Sequence, residues 1–214
     1  QSSVTFTPGL SQLVISQLYT AGGASSALYT RDFIEIFNRG TVPINLSGFS
    51  VQYAATGTGT FTVIASLPNV TLQPRQYFLI TAGTTNSAVG ANLPVNADVI
   101  GTNTNMTGSV GKVATVFGTT ALTSSNVNNP PLTVGNPTPG CPTNQTIVVD
   151  FVGYGTTASC YEGTSRAPDP TVTNNSQSDF RNNDGCTDTN NNGADFTRAN
   201  ALPRNSSTIK TSCP

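Results

Sequence analysis

Short apolar runs recur along the chain, separated by clusters of Gly, Pro, Asn and Thr. Runs such as LVISQLY, DFIEIF and YFLIT have the length of buried strands, and turn signals separate them at intervals typical of a sandwich or barrel. The pattern predicts strands at 4–7, 12–19, 31–40, before residue 54, and at 61–65, 70–72, 76–82, 98–101, 113–117 and 146–154. Residues 123–143 are predicted to form an extended loop, and a turn-rich tail follows residue 154.

The composition supports an all-β fold. Charged residues make up 9% of the chain, against about 25% in a typical domain. Thr, Asn, Ser and Gly replace them, and these residues favour strands and turns over helices. Disorder usually comes with a high net charge, whereas the net charge here is −1.

The charge pattern and the residue types exclude several classes of function. The basic residues are scattered, so the chain lacks the basic patch of a nucleic-acid-binding protein. No run approaches the roughly 20 apolar residues of a membrane-spanning helix. Because the chain has no histidine, Ser-His-Asp and Cys-His catalysis are excluded.

The remaining catalytic options are weak, and we expect no enzymatic activity. A Ser-Lys pair would need Lys112 or Lys210, and neither lies in a recognisable motif. Asp32 and Glu35 lie three residues apart in one strand, so their side chains point to opposite faces and cannot converge in one cleft. We interpret Glu35 as a residue that accepts backbone or arginine hydrogen bonds.

Four cysteines indicate a secreted protein, and six glycosylation sequons are compatible with one, although some arise by chance in a chain rich in Asn and Thr. Without histidine or a CxxC pair there is no zinc spacing, so two disulfides in an oxidising compartment are expected, with three pairings open. The chain begins at Gln1, which we interpret as the start of a mature chain after removal of a secretion signal. The glycosylation candidates are Asn45, Asn69, Asn105, Asn144, Asn174 and Asn205.

Three segments together resemble the lamin tail domain of secreted microbial proteins. The first reads LVISQLYTAGG and continues to YTRDFIEIFNRGTVPINLSGFSVQYA, the second reads VVDFVGYGTTASCYEG, and the third reads DFRNNDGCTDTNNNGADFTRANALPRNS. The resemblance implies an immunoglobulin-like β-sandwich with long irregular loops over residues 10–214. Residues 1–9 then form a separate N-terminal strand or arm.

The resemblance also bears on disulfides and function. Cys160 and Cys186 lie in the family-like blocks, so on the resemblance we expect them to pair, which leaves Cys141 with Cys213. Lamin tail domains are generally modules that bind or assemble, and the family carries no catalytic residue set. No other domain is evident in the chain, which favours a structural role.

We therefore interpret the protein as an extracellular subunit of a surface filament or matrix, with copies of itself as partners. The predicted strand of Val4, Thr5, Phe6 and Thr7 could add to the sheet of a neighbouring copy. Equally, it could complete the sheet of its own domain. The alternative function is a monomeric secreted module that binds carbohydrate or protein, although the chain has no Trp for sugar stacking.

The stretch DTNNNGADF is a candidate calcium loop. Asp188, Asn190, Asn192 and Asp195 could supply oxygen ligands, but the acidic residue that closes an EF-hand loop is replaced by Ala199. The same residues form good turns, and bracing Arg181 would be a sufficient structural role. No other cofactor is expected.

Overall fold

A computed structural model describes residues 12–57, 60–84, 88–124, 141–142, 147–171, 174–209 and 212–213. The predicted assembly strand, Asn144 and Lys210 lie outside these residues. The described strands are β1 (Leu13–Tyr19), β2 (Asp32–Asn38), β3 (Ile44–Asn45), β4 (Phe49–Ala54), β5 (Thr62–Ser66), β6 (Thr71–Leu72), β7 (Tyr77–Ala82), β8 (Val99–Ile100), β9 (Gly111–Phe117), β10 (Val148–Tyr154), β11 (Gln177–Arg181) and β12 (Phe196–Asn200). A 3-10 turn (Asn183–Gly185) and a single-turn helix α1 (Asn192–Asp195) join the last two strands.

The strands form two main sheets. One has six strands in the order β12-β11-β1-β2-β7-β8, and the other has four in the order β10-β9-β4-β5. Pairing is antiparallel in both, except that β8 runs parallel to β7. In the described part of the chain, no helix is long and apolar enough to cross a membrane. The predicted all-β sandwich is confirmed.

The core between the sheets follows from strand alternation. On β2, Ile34 and Ile36 point inward and meet Val51 of β4 and Val113 of β9 in one buried cluster. Phe33, Glu35 and Phe37 therefore point to the opposite face, yet they are also buried. Each sheet is consequently covered on its outer face as well.

Two irregular segments provide that cover. Residues 201–206 cross the outer face of the six-stranded sheet, where Ala201 packs with Tyr19 and Phe33. Cys141 and Cys160 lie over the outer face of the four-stranded sheet with Phe61 and Phe151. This double burial explains why the strands read as continuous apolar runs.

The tail after residue 154 is more regular than the sequence predicts. It contains β11 and β12. The sequence pattern misses β11 because its inward-facing residues are polar: Asp179 lies opposite Leu18 on the core side of the sheet. Arg181, two residues further on, is also buried. An apolar alternation pattern cannot detect such a strand.

The expected disulfide pairing is wrong. The structure joins Cys141 to Cys160 and Cys186 to Cys213, with Cα atoms 4.9 and 5.4 Å apart. The physical reason is that the sandwich places the two pairs on the outer faces of different sheets. Cys141 and Cys160 lie on the outer face of the four-stranded sheet. Cys186 and Cys213 pack beside Phe37 and Tyr77 on the outer face of the other sheet.

Tryptic mapping without reduction tests this pairing. Trypsin leaves Cys141 and Cys160 in one peptide (113–166), Cys186 in 182–198 and Cys213 in 211–214. We expect 182–198 to be linked to 211–214, and 113–166 to carry only an internal disulfide. Either alternative pairing would join 113–166 to both of the other peptides, and mass spectrometry of the digest distinguishes the outcomes.

Candidate functional site

Arg181 is the centre of the best-developed polar cluster. It is fully buried, and its Nη2 donates to both carboxylate oxygens of Asp150, at 2.9 and 2.8 Å. Its Nε donates to the carbonyl of Ile15 at 2.8 Å, and Nη1 lies 3.2 Å from Asp188 and 3.5 Å from Asp195. A single guanidinium thus connects β1, β10, β11 and the predicted calcium loop. The interpretation that this loop braces Arg181 is confirmed.

The cluster holds more carboxylates than guanidiniums. One oxygen from each of Asp150, Glu162 and Asp188 lies within 4.8 Å of the others. Burial, together with the carboxylate of Asp150, raises the pKa of Glu162 well above its usual range, although Arg181 opposes the shift. This shift favours the protonated form of Glu162, and protonation lowers the excess negative charge around Arg181.

The four predicted calcium ligands all make hydrogen bonds or ion pairs within the protein. Asp188 faces Arg181, and Asp195 accepts hydrogen bonds from Thr189 N, Thr189 Oγ1 and Asn191 N. Asn192 is buried. Its Oδ1 accepts a hydrogen bond from Gly153 N, and its Nδ2 donates one to the carbonyl of Phe151. Asn190, which has a left-handed backbone, donates its N–H to Asp188. These bonds account for the loop without a metal, and a calcium ion stays a prediction.

Glu35 forms a second buried ion pair. It lies on the outer face of β2, near the middle of the sheet, and its carboxylate accepts from Arg204 Nη2 at 2.7 Å and from Arg204 N at 2.8 Å. Arg204 also stacks 3.9 Å over the ring of Tyr77. The prediction that Glu35 satisfies an arginine is correct, and the pair fastens the C-terminal segment across the sheet.

Asp32 lies at a polar cleft at one end of the sandwich. The cleft has a volume of about 430 Å³, and its lining includes Thr20, Asn105, Gly108 and Thr171. The carboxylate accepts the N–H groups of Gly22 and Met106 at 2.7 and 2.8 Å. Burial raises the pKa of Asp32 to about 7, against an ordinary value of 3.8.

Lys112 and Ser159 form a contact that the sequence does not reveal. Lys112 Nζ donates to the carbonyl of Gly57 at 2.6 Å and to Ser159 Oγ at 3.0 Å. The Ser159 hydroxyl donates to the same Gly57 carbonyl at 2.9 Å. Burial lowers the pKa of Lys112 to about 8. Both side chains thus stabilise the turn at Gly57. Because Lys112 and Ser159 are 47 residues apart in the sequence, no local motif could indicate their contact.

Asp179 differs from the other buried acids. Its side chain is 0% exposed, and neither carboxylate oxygen has a hydrogen-bond partner in the described part of the chain. Burial raises its pKa well above the usual range; Asp169 adds to the shift and Arg198 opposes it. A buried carboxyl group without partners is destabilising, most of all when it is charged.

The remaining sequence candidates are placed as follows. All six tyrosines are buried: Tyr19, Tyr29, Tyr53, Tyr77, Tyr154 and Tyr161. Of the sequons, Asn45, Asn69, Asn105 and Asn174 are exposed, and Asn205 is half-buried. Asn45 Nδ2 donates to Asn69 Oδ1 at 2.9 Å, so these two candidates lie side by side. Glycosylation stays a prediction.

Comparison with known proteins identifies the family. A model of the lamin tail domain family matches residues 7–156, so the chain belongs to that family. The matched range includes the first resembling segment and the start of the second, and it ends before the third. No curated protein matches the chain.

A solved structure shows a similar fold. It is the crystal structure of a DUF4876 family protein from Bacteroides thetaiotaomicron VPI-5482, with a TM-score of 0.52 and 14% sequence identity. The similarity covers 94% of this chain and 75% of the other. At this identity the comparison supports the fold alone.

Raised acid pKa values predict that the protein is more stable at mildly acidic pH. The folded protein holds the protons of Asp32 and Asp179 more tightly than the unfolded chain does. For Asp32 this stabilisation is complete below about pH 4 and is lost as the pH rises to about 7. The melting temperature should therefore be higher at about pH 5 than at about pH 8.

The substitution Asp179→Asn isolates one contribution. It should stabilise the protein by about 1–3 kcal/mol at pH 8 and flatten the pH profile, because it replaces a buried carboxyl group whose ionisation the fold opposes with a side chain that does not titrate. Asp150→Asn is the matched control and should destabilise the protein by about 3–5 kcal/mol, since it removes the buried negative charge that both its oxygens present to Arg181 Nη2. Equal destabilisation by both variants would contradict the assignment of Asp179.

Proposed function

We propose that this chain is a non-enzymatic extracellular structural protein that assembles with copies of itself into a surface filament or matrix. The contact would be donation of the N-terminal strand, Val4 to Thr7, to a neighbouring sheet. Such a head-to-tail contact does not close on itself and therefore propagates. The two disulfides support an oxidising compartment.

The observation that carries the proposal is the location of the charges. The chain has nine basic and ten acidic residues, and eight of these nineteen are buried in the described structure: Asp32, Glu35, Lys112, Asp150, Glu162, Asp179, Arg181 and Asp195. The surface is therefore even less charged than the composition suggests. A weakly charged surface with few lysines lacks the usual protection against edge-to-edge association.

The geometry of the ionisable groups supports a structural role. Arg181 and Arg204 are bound by buried carboxylates that hold chain segments together. Asp32 accepts two backbone N–H groups. In each case the polar group fastens a loop or a strand, which fits a module whose function is mechanical and not catalytic.

Deletion of residues 1–9 tests the proposal. The full-length protein should form filaments or sheets in electron micrographs, whereas the deletion variant should remain a folded monomer with a cooperative melting transition. Full-length protein that stays monodisperse under all conditions would overturn self-assembly. A glycan array on that material would then test the alternative, a monomeric carbohydrate-binding module with the Asp32 cleft as its site.

A further inference from the structure

The six-stranded sheet ends in β12, which pairs with β11 on one side only. Hydrogen bonds from Asn182 N to the carbonyl of Asp195 (2.7 Å) and from Ala201 N to the carbonyl of Ser176 (2.9 Å) flank the strand. Hydrogen-bonded pairs alternate along an antiparallel ladder. Thr197 and Ala199 therefore bond β11, and the backbone N–H and C=O of Arg198 point outward.

The other described edges are closed or short. At the edge of β10, Ala167 N donates to the carbonyl of Gly153 at 2.9 Å, and Asn192 Oδ1 accepts from Gly153 N. At the edge of β5, Thr102 N donates to the carbonyl of Ile64 at 2.8 Å. The edge strand β8 has only two residues. Among the described residues, β12 is thus the longest uncovered edge.

The segment that follows β12 carries an exposed apolar side chain. Leu202 is 61% exposed, although its backbone is fixed by hydrogen bonds with both amide atoms of Gln17. Gln17 is the register partner of Phe180, which is itself only partly buried, on β11. The four residues of β12 after Phe196 are all exposed. The edge therefore offers outward backbone groups on an exposed strand.

We propose that β12 accepts the N-terminal strand of a second copy of this chain. The inference rests on the proposed function and names the surface that it requires. Backbone groups of residues 4–7 would pair with those of Arg198 and Asn200. The alternation of Val4 and Phe6 would place both side chains on one face of the sheet.

The short connection to β1 restricts how the same segment could reach β12 within its own molecule. The described chain enters the sheet through β1, and an added strand outside β12 would lie three inter-strand spacings away, roughly 14 Å. Only residues 8–12 lie between the predicted strand and β1, and they span at most about 17 Å when fully extended. β1 and β12 are parallel to each other, so a strand added antiparallel to β12 would also run antiparallel to β1. Residues 8–12 would then have to reverse the direction of the chain, through Pro8 and Gly9. A second copy meets neither restriction.

Two substitutions at one position test the proposal in the full-length protein. Arg198→Pro removes an outward N–H and leaves the bonds to β11 intact, and proline is tolerated on edge strands. Arg198→Ala removes the side chain and keeps the N–H. We expect Arg198→Ala to assemble like the wild type, and Arg198→Pro to raise the concentration needed for assembly by about tenfold or more.

The outcomes separate this inference from the proposed function. Wild-type filaments with unimpaired Arg198→Pro assembly would overturn β12 as the acceptor and leave self-assembly standing. A monodisperse wild type would overturn both. If Arg198→Pro does not fold, hydrogen exchange in wild-type filaments decides: slow exchange of the Arg198 and Asn200 amides supports the proposal, and fast exchange overturns it.

Discussion

The buried guanidinium of Arg181 is the interaction on which the organisation of the sandwich depends. It binds the Ile15 carbonyl on β1 and the Asp150 carboxylate on β10, and thereby connects the two sheets. It also stacks 4.7 Å from the ring of Phe196, the first residue of β12. A buried charge is stable only when it is fully paired, so β11, β12 and the loop between them are held in one arrangement. The position of the sheet edge follows from this one side chain.

The buried polar contacts, whose residue types could also belong to an active site, stabilise the fold. Arg204 reaches Glu35 from the C-terminal segment and covers the outer face of the six-stranded sheet. Lys112 and Ser159 fix the Gly57 turn on the other sheet. Because these contacts bury charged side chains, the surface consists largely of Thr, Asn and Ser. The physical basis of the fold and the proposed tendency to associate therefore have the same origin.

Much of the fold could be predicted from the sequence, and the failures are informative. Strands such as β1, β2 and β7 are recognisable because both faces are buried and their residues form apolar runs. β11 and β12 escaped recognition because the core side of β11 carries Asp179, and Arg181 is buried two residues further on. The disulfide pairing depended on which face each loop covers, which spacing along the chain does not encode. Glu35 and the bracing of Arg181 were predicted correctly, whereas the Lys112–Ser159 contact joins residues that are distant in sequence.

If copies of this chain join through a strand added at β12, that strand must lead into a neighbouring subunit. Electron cryo-microscopy of the native assembly, at a resolution that traces the backbone, distinguishes this arrangement from others. We expect a strand alongside Phe196–Asn200 that continues into Gln12 of the neighbouring subunit. A strand that continues into Gln12 of the same subunit, or subunits that meet without a strand at β12, would contradict it.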